Sequence, residues 1–353
     1  MKPISNVVAV LATLAALGVS VSCGAAKPKH ASGPDAAQVA TAARKPGANK
    51  QLGENPFAGA KYYINPYGNA VVHAKAARRL GKTDEAALLD KISAYGGAEC
   101  VGDWIPYVER WVTATTTNMQ EQGALPLYVA YNLPGRDCGQ YSAGGAKTGD
   151  AYKTWISGFA RGIGARKAVI ILEPDALGLL TKCLTGEEQN LRLSLMRYAV
   201  ESFNALPHTF VYIDAGHSAW LPVQEAASRL KAAGIEQAQG FALNVSNFRA
   251  NDELIEYGKQ ISALVGDKHF VLDTSRNGNG PITTSDSGSE ATWCNPPGRA
   301  LGSPPTSRTA DPLCDAYLWL KKPGESDGTC NGGPKAGTFW TEQALELARN
   351  AKF

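Results

Sequence analysis

Six short apolar runs punctuate this chain at Leu127–Tyr131, Val169–Leu172, Phe210–Ile213, Phe241–Val245, Phe270–Leu272 and Tyr317–Leu320. Between most of them lie stretches with helical apolar spacing, at Ala151–Gly162, Glu187–Leu206, Val223–Ala233 and Glu253–Val265. Buried parallel strands read as continuous apolar runs, and a parallel pair needs a crossover, usually a helix. The alternation therefore predicts a parallel α/β architecture. Each run also closes on polar residues: Asn132 then Arg136-Asp137; Glu173-Pro174-Asp175; Asp214-Ala215-Gly216-His217; Asn244 with Asn247; Asp273-Thr274-Ser275-Arg276; and Lys321, then Glu325 and Asp327. A β/α barrel carries its active site at the carboxyl ends of its strands, which is where these clusters fall. An open doubly wound sheet also binds ligands at strand ends, but not usually with a polar cluster on every strand.

The first 52 residues are of another kind. Lys2 precedes an apolar run from Val7 to Val21, and Ser22-Cys23-Gly24-Ala25-Ala26 follows. Residues 1–26 fit a secretory signal peptide, and the run is short for a membrane span. Cleavage near Ala25 or Ala26 gives a secreted protein; cleavage before Cys23 gives a lipoprotein anchored at the bacterial cell surface. Residues 27–52, Ala-rich with Pro28, Pro34 and Pro46 and no aromatic residue, fit a flexible linker. Residues 53–353 are expected to form one domain. Residues 1–52 hold six of the Lys and Arg and one Asp, which leaves 29 basic against 31 acidic residues beyond them. A nucleic-acid partner is not expected of such a domain.

Export permits disulfides, and without Cys23 six cysteines remain: Cys100, Cys138, Cys183, Cys294, Cys314 and Cys330. Their spacing alone does not choose among 15 connectivities. No Cys-x-x-Cys or His-x-x-x-His pair occurs, so no metal is expected. No Gly-x-Gly-x-x-Gly follows an early strand and no phosphate loop is present, so no nucleotide cofactor is expected either. Many carboxylates without metal or cofactor suggest acid–base work on an uncharged substrate. Trp220 and Trp293 stand beside polar clusters, and an indole face stacks well on a sugar ring. Glycoside hydrolysis needs a carboxyl of raised pKa to protonate the leaving oxygen, and burial or a second carboxylate supplies the rise.

Seven blocks then resemble, in order, the glycoside hydrolase family 6 cellulases. They are Tyr131-Asn132-Leu133-Pro134-Gly135-Arg136-Asp137-Cys138-Gly139, Ile171-Leu172-Glu173-Pro174-Asp175, and Tyr212-Ile213-Asp214-Ala215-Gly216-His217-Ser218-Ala219-Trp220. Asn244-Val245-Ser246-Asn247-Phe248 and Asp273-Thr274-Ser275-Arg276-Asn277-Gly278-Asn279-Gly280 follow. Trp293-Cys294-Asn295-Pro296-Pro297-Gly298-Arg299 and Leu318-Trp319-Leu320-Lys321-Lys322-Pro323-Gly324-Glu325-Ser326-Asp327-Gly328 complete the set. The resemblance implies a distorted, incomplete, TIM-like parallel β/α barrel of about seven strands that hydrolyses β-1,4-glucan with inversion.

By matching, Asp137 is the general acid, Asp103 the upstream residue that tunes it, and Asp327 the carboxylate on the base side. Asp175 and Asp214 are supporting carboxylates. Trp220, Trp293, Lys321, Glu325, His217 and Asn247 are expected to bind sugar. The resemblance pairs Cys294 with Cys330, and Cys100 with Cys138 is the second pairing expected. The short stretch from Asp327 past Cys330 to a helix signal near Thr341 leaves little chain for a roof over the site, as does Gly96–Trp104. An endoglucanase follows, acting as a monomer on soluble or amorphous glucan, since no separate carbohydrate-binding domain is visible. Its rivals are an exo-acting cellobiohydrolase and a non-catalytic surface glucan-binding protein.

Overall fold

The computed structural model describes residues 54–282 and 292–353; the signal, linker and Cys23 readings lie outside them. Seven parallel strands form one sheet: β1 (Glu99–Val101), β2 (Leu127–Ala130), β3 (Ala168–Leu172), β4 (Thr209–Asp214), β5 (Gly240–Leu243), β6 (His269–Asp273) and β7 (Cys314–Leu318). They pair in chain order from β1 to β7. Among the described residues eight α-helices accompany them: α1 (Asn69–Arg79), α2 (Thr83–Ser93), α3 (Val108–Glu121), α4 (Gly149–Ile163), α5 (Gly186–Asn204), α6 (Val223–Ala232), α7 (Asn251–Leu264) and α8 (Thr341–Asn350). The six expected strands and four expected helices all appear. Strand β1 and helices α1–α3 are additions that the apolar pattern did not announce.

The sheet curls because its strands bury both faces, and the two faces feed different cores. Tyr128, Ile170, Val211, Phe241 and Leu272 point outward to meet Ile156, Phe159, Leu195 and Leu230 of the helices. Val129, Ile171, Tyr212, Ala242, Val271 and Leu318 point inward and pack together with Phe57. In a flat sheet β4 and β7 would stand about 14 Å apart, at roughly 4.8 Å per strand. Here the Tyr212 hydroxyl donates to Asp315 Oδ2 at 2.5 Å across the interior. Phe57 is fully buried as a plug. Asn55 Nδ2 holds that segment down by donating to Asp315 O at 2.8 Å.

The barrel is incomplete at one seam. Among the described residues β1 and β7 share no ladder. Their flanks are stitched instead: Ala98 N donates to Trp319 O at 3.0 Å, and Lys322 Nζ lies 2.7 Å from Glu99 Oε2. A third core, of Ala74, Leu89, Leu301, Trp319 and Leu347, packs α1, α2 and α8 over this side.

Candidate active site

The strand tips turn sharply, and the backbone records it. Nine described non-glycine residues have positive φ, and six of them follow β2, β3 and β5: Asp137, Cys138, Glu173, Asp175, Asn244 and Ser246. A left-handed residue costs roughly 1–2 kcal/mol and persists only where neighbours over-determine it. Buried carboxylates do this here. Glu173 accepts from Asn132 N at 3.0 Å and from Leu133 N at 3.1 Å, riveting the β3 tip to the β2 tip. Asp214 Oδ2 accepts from Asp175 N at 2.9 Å and from Gly216 N at 3.3 Å, joining β3 to β4. Asp273 accepts from Ser246 N at 2.9 Å and Lys321 N at 3.1 Å, joining β5, β6 and β7.

The tip residues therefore divide into rivets and working groups. Above the sheet opens a cleft of about 430 Å³ lined by Asp137, Asp175, His217, Trp220, Asn247, Trp293, Lys321 and Asp327. These eight expected residues come from tips after β2, β3, β4, β5, β6 and β7, and the fold brings them to one hollow. Trp220 lies against Gly178, where a Cβ would sit 2.6 Å from the indole, and its ring centroid is 5.5 Å from that of His217. Trp293 is 45% exposed, so its face is open to a ligand. Among the described residues no cluster of His, Cys, Asp and Glu could hold a metal ion.

Three carboxyls face this cleft in three different electrostatic settings. Burial, and then the charges of Asp214, Asp137 and Asp327, push the Asp175 carboxyl well above the usual range, against the pull of Lys321. Burial raises Asp137 too, opposed by the Ser142 N–H, which donates to its Oδ2 at 2.7 Å, and by Arg136 and Lys182. Asp327 goes the other way. Burial opposes its charge, but Arg276 and Lys321 with the Asn295 N–H hold it below the ordinary value. Arg276 Nη1 donates to its Oδ2 at 2.8 Å, and Lys321 Nζ lies 3.4 Å from its Oδ1. His217 is pushed down to about 4 by burial and by Arg249, so its imidazole is neutral at neutral pH.

Several expectations change. Asp103 stands at the end of β1 but outside the cleft lining, where its Oδ1 accepts from Arg136 Nη1 at 3.0 Å. Arg136 is 3% exposed, between Trp104 and Tyr131, and needs that counter-charge. Glu325 is 1% exposed and is not part of the cleft lining; its charge helps to raise the pKa of Lys322. Cys294 does pair with Cys330, but Cys138 pairs with Cys183 and not with Cys100, tying the Asp137 loop to the segment after β3. Cys314 is a buried free thiol. Asp214 lies outside the cleft lining and accepts from the Asp175 and Gly216 N–H groups. Burial and neighbouring carboxylates favour the protonated form of Asp175, and burial favours that of Asp137. Sequence matching sees which tips carry acids; it does not see which acid other acids surround.

The family model for glycosyl hydrolases family 6 matches residues 57–351. Endoglucanase A of Cellulomonas fimi is 43% identical over 294 residues, covering 83% of this chain and 62% of that protein. The chain thus spans less than two thirds of that relative's length. Endoglucanase 1 of Streptomyces halstedii is 40% identical over 295 residues, covering 81% of this chain and 88% of that one. Among solved structures, the endoglucanase Cel6 from Mycobacterium tuberculosis, in complex with methyl-cellobiosyl-4-deoxy-4-thio-β-D-cellobioside, superposes with a TM-score of 0.80. It is 44% identical, and the match covers 84% of this chain and 99% of that one.

Proposed function

The chain belongs to family 6 of the glycosyl hydrolases, and from that membership we propose that it cleaves internal β-1,4-glucosidic bonds of cellulose-type glucans with inversion. The observation that carries the mechanism is the ring of carboxylates around Asp175 in one aromatic-flanked cleft. Asp175, in place of Asp137, is the general acid. Its retained proton passes to the glycosidic oxygen as the bond to the anomeric carbon breaks. A water attacks that carbon from the opposite face and gives its proton to Asp137, directly or through further water. Asp137 suits this better than Asp327, because a carboxylate held low by two cations is a weak base. Asp327 keeps its charge and stabilises the positive charge that develops on the sugar ring. Trp220 and Trp293 stack on glucosyl units, and Lys321, His217 and Asn247 bind their hydroxyls.

Endo attack is supported by the names of the relatives above. It also fits the segment after β7, which folds back on itself: Ser326 N donates to Thr338 O at 2.9 Å and Trp340 N to Gly324 O at 2.7 Å. Export is supported by two disulfides in the described domain, which form in oxidising compartments. Residues 1–26 supply the signal and 27–52 the tether, and Cys23 is where a lipid would attach. The test is hydrolysis of carboxymethylcellulose by the purified protein, with viscosity and reducing ends followed together. A steep viscosity fall for few new ends is expected. Cellobiose from the outset with slow viscosity loss indicates exo attack. Binding without hydrolysis overturns the enzyme reading.

A further inference from the structure

Two disulfide-stapled units meet over the seam of this barrel. The first carries Asp137. Cys138 bonds to Cys183, and Ser142 N donates to Asp137 Oδ2 at 2.7 Å. Arg136 pairs with Gly144 in a short antiparallel bridge that closes the loop. The second carries Asp327. Cys294 bonds to Cys330, Asn295 N donates to Asp327 Oδ2 at 3.0 Å, and Asp327 N donates to Asn295 Oδ1 at 2.8 Å.

Tyr141 belongs to the first unit and touches the second at two points. Its ring packs on Gly328, next to Asp327, so closely that a Cβ there has no room. Its centroid lies 6.2 Å from that of Trp293, next to Cys294, with the planes tilted by 49°. The ring is 45% exposed and lines the cleft. An isolated loop aromatic gains little from so exposed a site, whereas a ring wedged between two stapled units fixes their spacing. We propose that Tyr141 is a positioning residue: a clasp across the open seam that sets the separation of Asp137 and Asp327 on either side of the reacting sugar.

The proposal rests on the hydrolytic reading above and deepens it. Asp137, which takes the proton from water, and Asp327, which stabilises the positive sugar ring, must both be held in place against the same reacting carbon, so their separation matters to the rate. A closed barrel sets such distances through continuous hydrogen bonding. Among the described residues this one has no ladder between β1 and β7, and β1 alone stands between the seam and the β2 tip that bears Asp137. The ring acts through packing, so its hydroxyl is dispensable.

The test compares the parent with Tyr141→Ala and Tyr141→Phe on cellotetraose and cellopentaose, with kcat and KM measured from pH 4 to 9. Misplacing a reacting group by about 1 Å costs on the order of 100-fold. Tyr141→Ala is therefore expected to lose roughly 10- to 100-fold in kcat, with KM changed less. Its basic limb should move to lower pH, because carboxylates that drift from Asp175 raise it less. Tyr141→Phe should restore both kcat and the limb. A Tyr141→Ala enzyme with raised KM, unchanged kcat and an unmoved basic limb overturns the clasp and makes the ring a sugar platform. Unchanged kinetics overturn it outright, and so does failure of Tyr141→Phe to rescue. An inactive parent overturns the hydrolytic reading itself, so the two failures are distinct.

Discussion

Replacing Arg276 with methionine removes one cation from the clamp on Asp327 while keeping an unbranched side chain of useful length. Arg276 is fully buried and the Asp327 side chain is 8% exposed. Truncating one partner of a buried pair costs about 3–5 kcal/mol, because the other charge stays behind. Lys321 at 3.4 Å and the Asn295 N–H at 3.0 Å still serve Asp327, which places the loss near 3 kcal/mol. The unfolding entropy is about 2.1 cal/mol/K per residue, so the roughly 290 described residues give roughly 0.6 kcal/mol/K, and Tm should fall by about 5 °C. Arg276 also donates to Ser246 O and lies over the Phe248 ring, so a double-mutant cycle with Asp327→Asn is needed to isolate the pair. Asp327→Asn on the Arg276→Met background should cost less than Asp327→Asn alone, or restore stability. The sign with pH follows from a depressed folded pKa. The pair's stabilisation is fully present above the unfolded carboxyl value of about 3.9, and is lost as pH falls through the lower folded value. Calorimetric melts from pH 2.5 to 7 read both effects. A Tm shift under 1 °C for Arg276→Met, or strictly additive effects in the cycle, refutes the reasoning.

Two further outcomes follow from the same geometry. Gly178→Ala puts a Cβ 2.6 Å from the Trp220 indole; it should displace that ring and raise KM for cellopentaose several-fold while kcat changes less, and unchanged KM refutes it. Glu173 is pushed up to about 7, with burial the leading cause, so its contribution to stability is present at low pH and lost as pH rises from about 4.5 to 7. Melts of Glu173→Gln should lose that part of the parent's decline, and an identical pH slope in parent and variant contradicts it.

The barrel was legible in the sequence because its strands are buried on both faces and so read as uninterrupted apolar runs. Strand β1 escaped because Glu99-Cys100-Val101 is three residues long and opens on a charge. Helix α3 escaped because Thr113, Thr115, Thr116 and Thr117 dilute its apolar stripe and have low helix propensity. The final run at Tyr317–Leu320 also misled: the strand begins three residues earlier, at Cys314, and Trp319 and Leu320 lie past its end and pack into separate cores. Eight of the expected site residues do line one cleft. The electrostatic settings of Asp137 and Asp175 were not legible, because burial and the approach of other charged groups arise only when neighbouring tips fold together. Cys183 was equally hidden as the partner of Cys138, 45 residues away in the chain.

The most direct test of the account separates leaving groups by their need for a proton. Parent, Asp175→Ala and Asp137→Ala enzymes are compared on cellotetraose and on 2,4-dinitrophenyl β-cellobioside, whose phenolate departs unaided. General acid catalysis contributes about 10²- to 10⁴-fold. Asp175→Ala should lose that much on cellotetraose and keep most of its rate on the activated glycoside, whereas Asp137→Ala should be impaired on both. If Asp137→Ala is the variant rescued by the activated leaving group, Asp137 is the acid and the assignment to Asp175 is contradicted.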